Sequence, residues 1–220
     1  MIFASISYLN LLPFQIFLKR KISNTQIKQI AFYKKNVPST INQKFLQKKV
    51  DAAFISSIKS KNQKCTNLGI IAKKNVYSVL VLKNRVSKED RDSNTSNVLA
   101  KILEVKGEVL IGDKALRYYL NNQKEEFFDL ASLWYQKTTL PFVFARLCYN
   151  RHNRRIEKLV KAFKKERVKV PYFYLQKEAK KKGISTTQLR WYLQHIYYTM
   201  GYKEKKALKL FFKYAKKYRV

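Results

Sequence analysis

Ile2-Phe3-Ala4-Ser5-Ile6-Ser7-Tyr8-Leu9-Asn10-Leu11-Leu12-Pro13 is a short apolar run, a polar turn, and a proline placed for the first turn of a helix. The apolar run reads as a strand, and the helix after Pro13 is expected to reach about Arg20. Gln29–Tyr33 is a second strand candidate. Pro38-Ser39-Thr40 opens another helix toward Lys48, and Asp51–Ile55 is a third, fully apolar strand that stops at Ser56-Ser57. Strand and helix therefore alternate as βαβαβ, the pattern of an α/β sheet covered by helices.

The same alternation continues along the chain. Leu68–Ala72 and Tyr77–Leu82 are strand-like, and Val76–Leu82 is long enough to cross from one lobe to another. The polar stretch Lys88–Asn97 is rich in N-cap residues, so a helix is expected to begin near Thr95 or Ser96. Glu108–Ile111 is a strand ending at Gly112-Asp113, Lys114–Asn121 a helix, Phe127–Leu130 a short strand, and Pro141–Leu147 a strand returning to the first lobe. Two crossings make a hinge. The expected organisation is lobe 1 from residues 1–82 and 148–220, with lobe 2, residues 83–147, inserted.

Beyond Arg151 the chain becomes Lys-rich, with Ile156, Leu159, Val160 and Phe163 at helical spacing. A set of helices is expected, with Gly183 and Gly201 as C-caps and Ser185 or Thr186 as an N-cap. Ile184–Leu193 also has the look of the second half of a helix-turn-helix, but no partner helix of matching pattern is evident. A capped amphipathic helix docking on the first lobe is the preferred reading.

The chain has 220 residues, 46% of them hydrophobic, enough to bury a substantial core. Its 47 Lys and Arg against 14 Asp and Glu give a formal charge of +33. These cations are spread along nearly the whole length instead of gathering in one arm or face, which argues against a nucleic-acid partner and for a solvated surface that attracts small anions. Cys65 and Cys148 are far apart in sequence and lack metal-ligand spacing, as suits a reducing compartment. The early residues reach polar Ser7 and Asn10 too soon for a secretory core, and no apolar run approaches the roughly 20 residues of a membrane span. A soluble cytoplasmic protein is expected.

Phosphate-loop, dinucleotide and nucleophile-elbow motifs are absent. His152 and His195 lie in basic segments expected to be helical, so neither a metal site nor a Ser-His-Asp triad is expected. What remains is polar groups at strand ends and helix starts, where open α/β sheets bind ligands: Ser7 and Asn10, Ser56 and Ser57, then Asn94, Thr95 and Ser96. Facing helix starts offer N–H groups and hydroxyls to a dianion. The alternative for each is a simple helix cap, and the two roles can coexist.

Several segments carry a family resemblance. Ser7-Tyr8-Leu9-Asn10-Leu11-Leu12-Pro13 resembles the Ser-Tyr-Leu-Asn-x-x-Pro opening of the chorismate dehydratases of the futalosine route to menaquinone. Asp51–Ser56 resembles the family's third strand, and Val76-Tyr77-Ser78-Val79-Leu80 its crossing strand. Asp92-Ser93-Asn94-Thr95-Ser96 resembles its Asp-x-Ser-x-Thr-Ser loop, with Asn94 where an arginine is common. Gly112-Asp113-Lys114-Ala115-Leu116, then Asp129-Leu130, Trp134 and Leu140–Ala145 complete the set, while Ala131 and Thr139 replace expected glycines. The match is strong over residues 2–147 and extends to the C-terminal helices only in pattern.

The resemblance implies a two-lobed type II periplasmic-binding-protein-like fold with its ligand cleft at the hinge. It implies a hydro-lyase that converts chorismate to 3-[(1-carboxyvinyl)oxy]benzoate without cofactor or metal, in a monomer or homodimer. Asn10 and Ser78 are the expected catalytic residues, and Ser7, Ser56, Ser57, Asn94, Thr95, Ser96 and Asp113 the expected substrate-binding ones, Asp113 also being a candidate cap for the helix at Lys114. The alternatives are the sister enzyme 1,4-dihydroxy-6-naphthoate synthase, whose opening loop differs from Ser7–Pro13, and a noncatalytic small-anion-binding protein.

Overall fold

The computed structural model describes residues 2–6, 8–21, 35–83, 85–122, 126–166 and 168–218. Ser7 and the strand expected at Gln29–Tyr33 lie outside the described residues.

The apolar opening forms β1 (Phe3–Ile6), and a tight turn at Leu9–Leu11 leads directly into α1 (Leu12–Lys21). β2 (Lys35–Asn36), α2 (Pro38–Leu46) and β3 (Ala52–Ser56) follow, every residue of β3 being buried. β4 (Cys65–Ala72) precedes a crossing into β5 (Val79–Leu82). Next come α3 (Asn94–Ile102), β6 (Glu108–Ile111), α4 (Gly112–Asn121), β7 (Phe127–Asp129) and α5 (Leu130–Thr138). The chain returns along β8 (Phe142–Tyr149) and ends in α6 (Asn153–Lys165), α7 (Tyr172–Lys182), α8 (Thr186–Leu193), β9 (Ile196–Thr199) and α9 (Tyr202–Ala215).

Two sheets result. The larger has the order β2-β1-β3-β8-β4-β9, and the smaller β6-β5-β7. β1 runs parallel to β2 and β3, whereas β8 lies antiparallel between β3 and β4, as expected for a strand that comes back from an insertion. The strand pairing shifts the expected lobe limits at both ends. β5, read as a crossing strand at the end of the first lobe, pairs with β6 and β7, and β8, read as returning to the first lobe although most of it falls within residues 83–147, pairs with β3 and β4. Sequence periodicity identifies a buried strand but not its neighbours, which long-range hydrogen bonds select.

One joint ties the crossings together. The Asp129 carboxylate caps α5 through the N–H groups of Ala131 and Ser132, at 2.9 and 3.1 Å, and also accepts from Val76 and Tyr77, at 2.9 and 2.7 Å. One buried acceptor thus ties the outgoing crossing to the helix that precedes the return. Over the same joint, Tyr77 adopts φ 59°, and its ring packs against Tyr119, Trp191 and His195 at 4.7 to 4.8 Å. The cores on either side are rich in aromatics: Phe14 meets Phe54 and Phe163 edge-on, and Trp134 meets Phe142.

The C-terminal region departs from an all-helical expectation. Ile196–Thr199 is β9, an edge strand on β4, because β-branched and aromatic residues there complete an open sheet edge. Gly183 is a left-handed C-cap, φ 66°, as expected, and Ser185 caps α8 with a reciprocal bond to Gln188. Gly201, expected to end a helix, instead precedes α9 as its N-cap, its N–H donating to Glu204. A partner helix for α8 does exist, since α7 joins it through Gly183–Ser185, but Leu189 and Tyr192 of α8 are buried. His195 is not helical; it follows α8 and packs on Tyr77. Cys65 and Cys148, read as separate thiols, stand opposite one another on β4 and β8 and are joined as a disulfide. No helix among the described residues is long and apolar enough to cross a membrane.

Candidate active site

A cavity of about 60 Å³ lies between the two sheets. The turn after β1 contributes Tyr8 and Asn10, the end of β3 Ser56, β8 Phe144 and Ala145, the crossing Val76 and Ser78, the start of α3 Ser93 and Ser96, and the β6–α4 junction Gly112. The C-terminal ends of β1, β3 and β6 thus converge with the start of α3, whose dipole presents its positive end.

Three lining hydroxyls share one arrangement. Ser56 Oγ accepts from Asn42 Nδ2 at 3.0 Å, and Ser78 Oγ accepts from Tyr192 Oη at 2.9 Å. Ser96 Oγ accepts from the Ser93 hydroxyl at 2.7 Å, while Ser93 Oγ takes the Ser96 N–H at 3.2 Å. Ser56, Ser78 and Ser96 each receive a hydrogen bond from the protein, so their own protons remain to be donated, whereas Ser93 spends its proton on Ser96. Asn10 Oδ1 complements them as an acceptor, buried without a hydrogen-bond partner among the described residues. Such an orphan is costly unless a ligand satisfies it.

Tyr8 and Gly112 pack together where the two sides meet. Gly112 adopts φ 65°, and a Cβ there would sit 2.6 Å from the Tyr8 ring. Burial, reinforced by the charges of Asp90, Asp92 and Asp113, pushes the Tyr8 hydroxyl well above the ordinary tyrosine value. Burial does the same for Tyr192. Both stay protonated donors.

The remaining sequence-expected residues stand behind the lining. Ser57 donates to the Val143 carbonyl and braces β3 on β8. Thr95 Oγ1 accepts the Ile58 N–H at 3.1 Å across the cleft. Asp113 accepts the Leu9 N–H at 3.0 Å and pairs with Lys182 at 2.6 Å, so it holds the Asn10 turn from below. Asn94 is the first residue of α3 and is exposed. Asn10, Ser56, Ser78 and Ser96 are therefore brought together, whereas Ser57, Thr95, Asp113 and Asn94 do not line the cavity. Sequence reasoning missed Tyr192, because its partner Ser78 lies 114 positions away.

A family model described as menaquinone biosynthesis matches residues 1–108 and 103–217. The chain belongs to this family. A chorismate dehydratase of the family from Campylobacter jejuni subsp. jejuni serotype O:23/36 (strain 81-176) is 44% identical over 219 residues, covering 98% of both sequences. The fold recurs in a solved structure of a protein from Archaeoglobus fulgidus, at 14% identity and TM-score 0.68, covering 99% of this chain and 97% of that one. It recurs again in the periplasmic aliphatic sulphonate binding protein of Escherichia coli, at 12% identity and TM-score 0.53, covering 99% and 86%. This menaquinone biosynthesis chain thus has a periplasmic-binding-protein-like fold.

Proposed function

We propose that the chain is a chorismate dehydratase, a hydro-lyase acting in the cytoplasm on the route to menaquinone. The near full-length identity to the Campylobacter jejuni enzyme carries this reading, and the convergent donors of the cavity support it. Chorismate loses the hydrogen of the ring carbon that bears the enol ether and the hydroxyl of the neighbouring carbon. Water leaves, and the ring becomes the benzene ring of 3-[(1-carboxyvinyl)oxy]benzoate.

When the ring carbon loses its proton, charge spreads through the adjacent double bond onto the ring carboxylate. The hydroxyls of Ser56 and Ser96 and the start of α3 hold that carboxylate where its charge grows. Asn10 Oδ1 accepts from the ring hydroxyl, and Ser78 donates to that oxygen as its bond to carbon breaks. Among the described lining residues there is no Asp, Glu, His or Lys, so the substrate's own side-chain carboxylate takes the ring proton and passes it to the departing hydroxide.

A cavity of about 60 Å³ is well below the roughly 300 Å³ at which ligand pockets begin. The two lobes therefore part to admit substrate and close over it to exclude water. Parting breaks the bonds Leu9 to Asp113, Ile58 to Thr95 and Ser39 to Asp92.

Incubating the purified protein with chorismate and following the product by mass spectrometry tests the reading. Loss of one water, slowed on the order of 10²-fold by Asn10→Ala, is the expected result, since removing a transition-state hydrogen-bonding group typically costs that much. Unchanged chorismate from folded protein rejects the dehydratase reading in favour of the sister synthase or an anion-binding role. An Asn10→Ala rate within about threefold of wild type rejects the role of Asn10.

A further inference from the structure

The hydroxyls that line the cleft depend on residues behind them, and one of these comes from the far end of the chain. Tyr192, on α8, is 1% exposed and places its hydroxyl 2.9 Å from Ser78 Oγ, which is equally buried. Tyr192 therefore reaches one of the side chains assigned to the departing oxygen, Ser78 on the crossing strand, from 114 positions away.

The direction of this bond has a chemical consequence. A phenol carries one proton, and Tyr192 gives it to Ser78. Ser78 then keeps its own proton for the cavity. Asn10 Oδ1, the buried atom without a partner among the described residues, lines the same cavity as an acceptor. Without the phenol, the Ser78 hydroxyl would turn to satisfy itself elsewhere. The backbone of this cluster is separately anchored: the Ser78 carbonyl accepts the Gly112 N–H at 2.7 Å, and Tyr198 donates to the Asn10 carbonyl at 2.6 Å. The loss of one hydroxyl thus leaves the frame in place and removes only the polarity.

We propose that Tyr192 is a positioning residue of the dehydration, setting Ser78 as the hydrogen-bond donor at the leaving oxygen. This rests on the dehydratase reading above. It makes α8 part of the active site although no atom of Tyr192 lines the cavity.

Steady-state turnover of chorismate by the full chain, with wild type, Tyr192→Phe, Ser78→Ala and the double variant, tests it. The expected result is a kcat about 10- to 10²-fold lower for Tyr192→Phe with KM within about threefold, as for a hydrogen bond that acts in the transition state. In the Ser78→Ala background the same substitution should change kcat less than about twofold, because residues acting as a unit are not additive. Tyr198→Phe, which removes a bond to backbone only, serves as the comparison and should lower kcat less than Tyr192→Phe does. A Tyr192→Phe kcat within about threefold of wild type, or full additivity with Ser78→Ala, overturns the proposal and leaves the dehydratase reading intact. Failure of the wild type to turn over chorismate overturns both.

Discussion

The cleft has two walls that are braced in opposite ways. The wall at the start of α3 is held largely by its own sequence neighbours, with Ser93 capping Ser96 three residues on. The wall at Tyr8–Leu11 is held from a distance: Asp113 takes the Leu9 N–H, Lys182 pairs with Asp113, and Tyr198 donates to the Asn10 carbonyl. A locally capped wall keeps its shape when the lobes part, whereas a wall assembled from remote segments keeps it only while those segments stay docked. On the proposed reading, the first grips the substrate and the second aligns it.

The contact where the walls meet is the most sensitive place to break this difference. Gly112→Ala adds a Cβ beside the Tyr8 ring at a left-handed φ, so the aligning turn is displaced. Turnover should fall on the order of 10²-fold in steady-state assays, as for an ångström-scale misplacement of a reacting group.

Thr95→Val probes the bridge between the walls. It keeps shape but strands the buried Ile58 N–H, so denaturant unfolding should show a loss of about 1–3 kcal/mol. A smaller loss would mean that the bridge contributes little to the closed form.

The aligning wall also carries a pH signature. Burial pushes Tyr198 above the ordinary value of 10.0, so the folded state keeps its phenol protonated while the unfolded chain ionises. Stability from this residue is complete below about pH 10 and declines as pH rises past it. At about pH 11 the unfolded state gains about 1.4 kcal/mol from one tyrosine. Urea titrations over this range should fall less steeply for Tyr198→Phe than for wild type.

The smallest effect is expected at the gripping wall's outer edge. Asn94 is exposed and does not line the cavity, so Asn94→Arg, which restores the residue common in the resembling loop, should change kcat/KM less than about threefold, as a solvent-exposed site away from packing and caps tends to. A larger gain would show that the gripping wall extends beyond Ser93 and Ser96.

The two walls also differ in how legible they are in the amino-acid sequence. The N-cap chemistry of Asp92–Ser96 places the start of α3 to within two residues, because a cap is a bond between near neighbours. Ser56 and Ser78 are legible as polar groups beside apolar strands. Asp113 and Thr95, expected to contact the ligand, instead brace the site, since a residue type alone does not say which side of a turn faces the cavity.

The sequence by itself determined the alternation of strands and helices, the two crossings, and the family, because periodicity, caps and motif order are local properties carried along the chain. Only the tertiary structure decided which strands β5 and β8 pair with, that Ile196–Thr199 completes an edge of the larger sheet, and that Tyr192 meets Ser78. Those outcomes depend on which distant groups satisfy one another's hydrogen bonds and cover one another's apolar faces. That pairing is a property of the folded whole, and no window of neighbouring residues contains it.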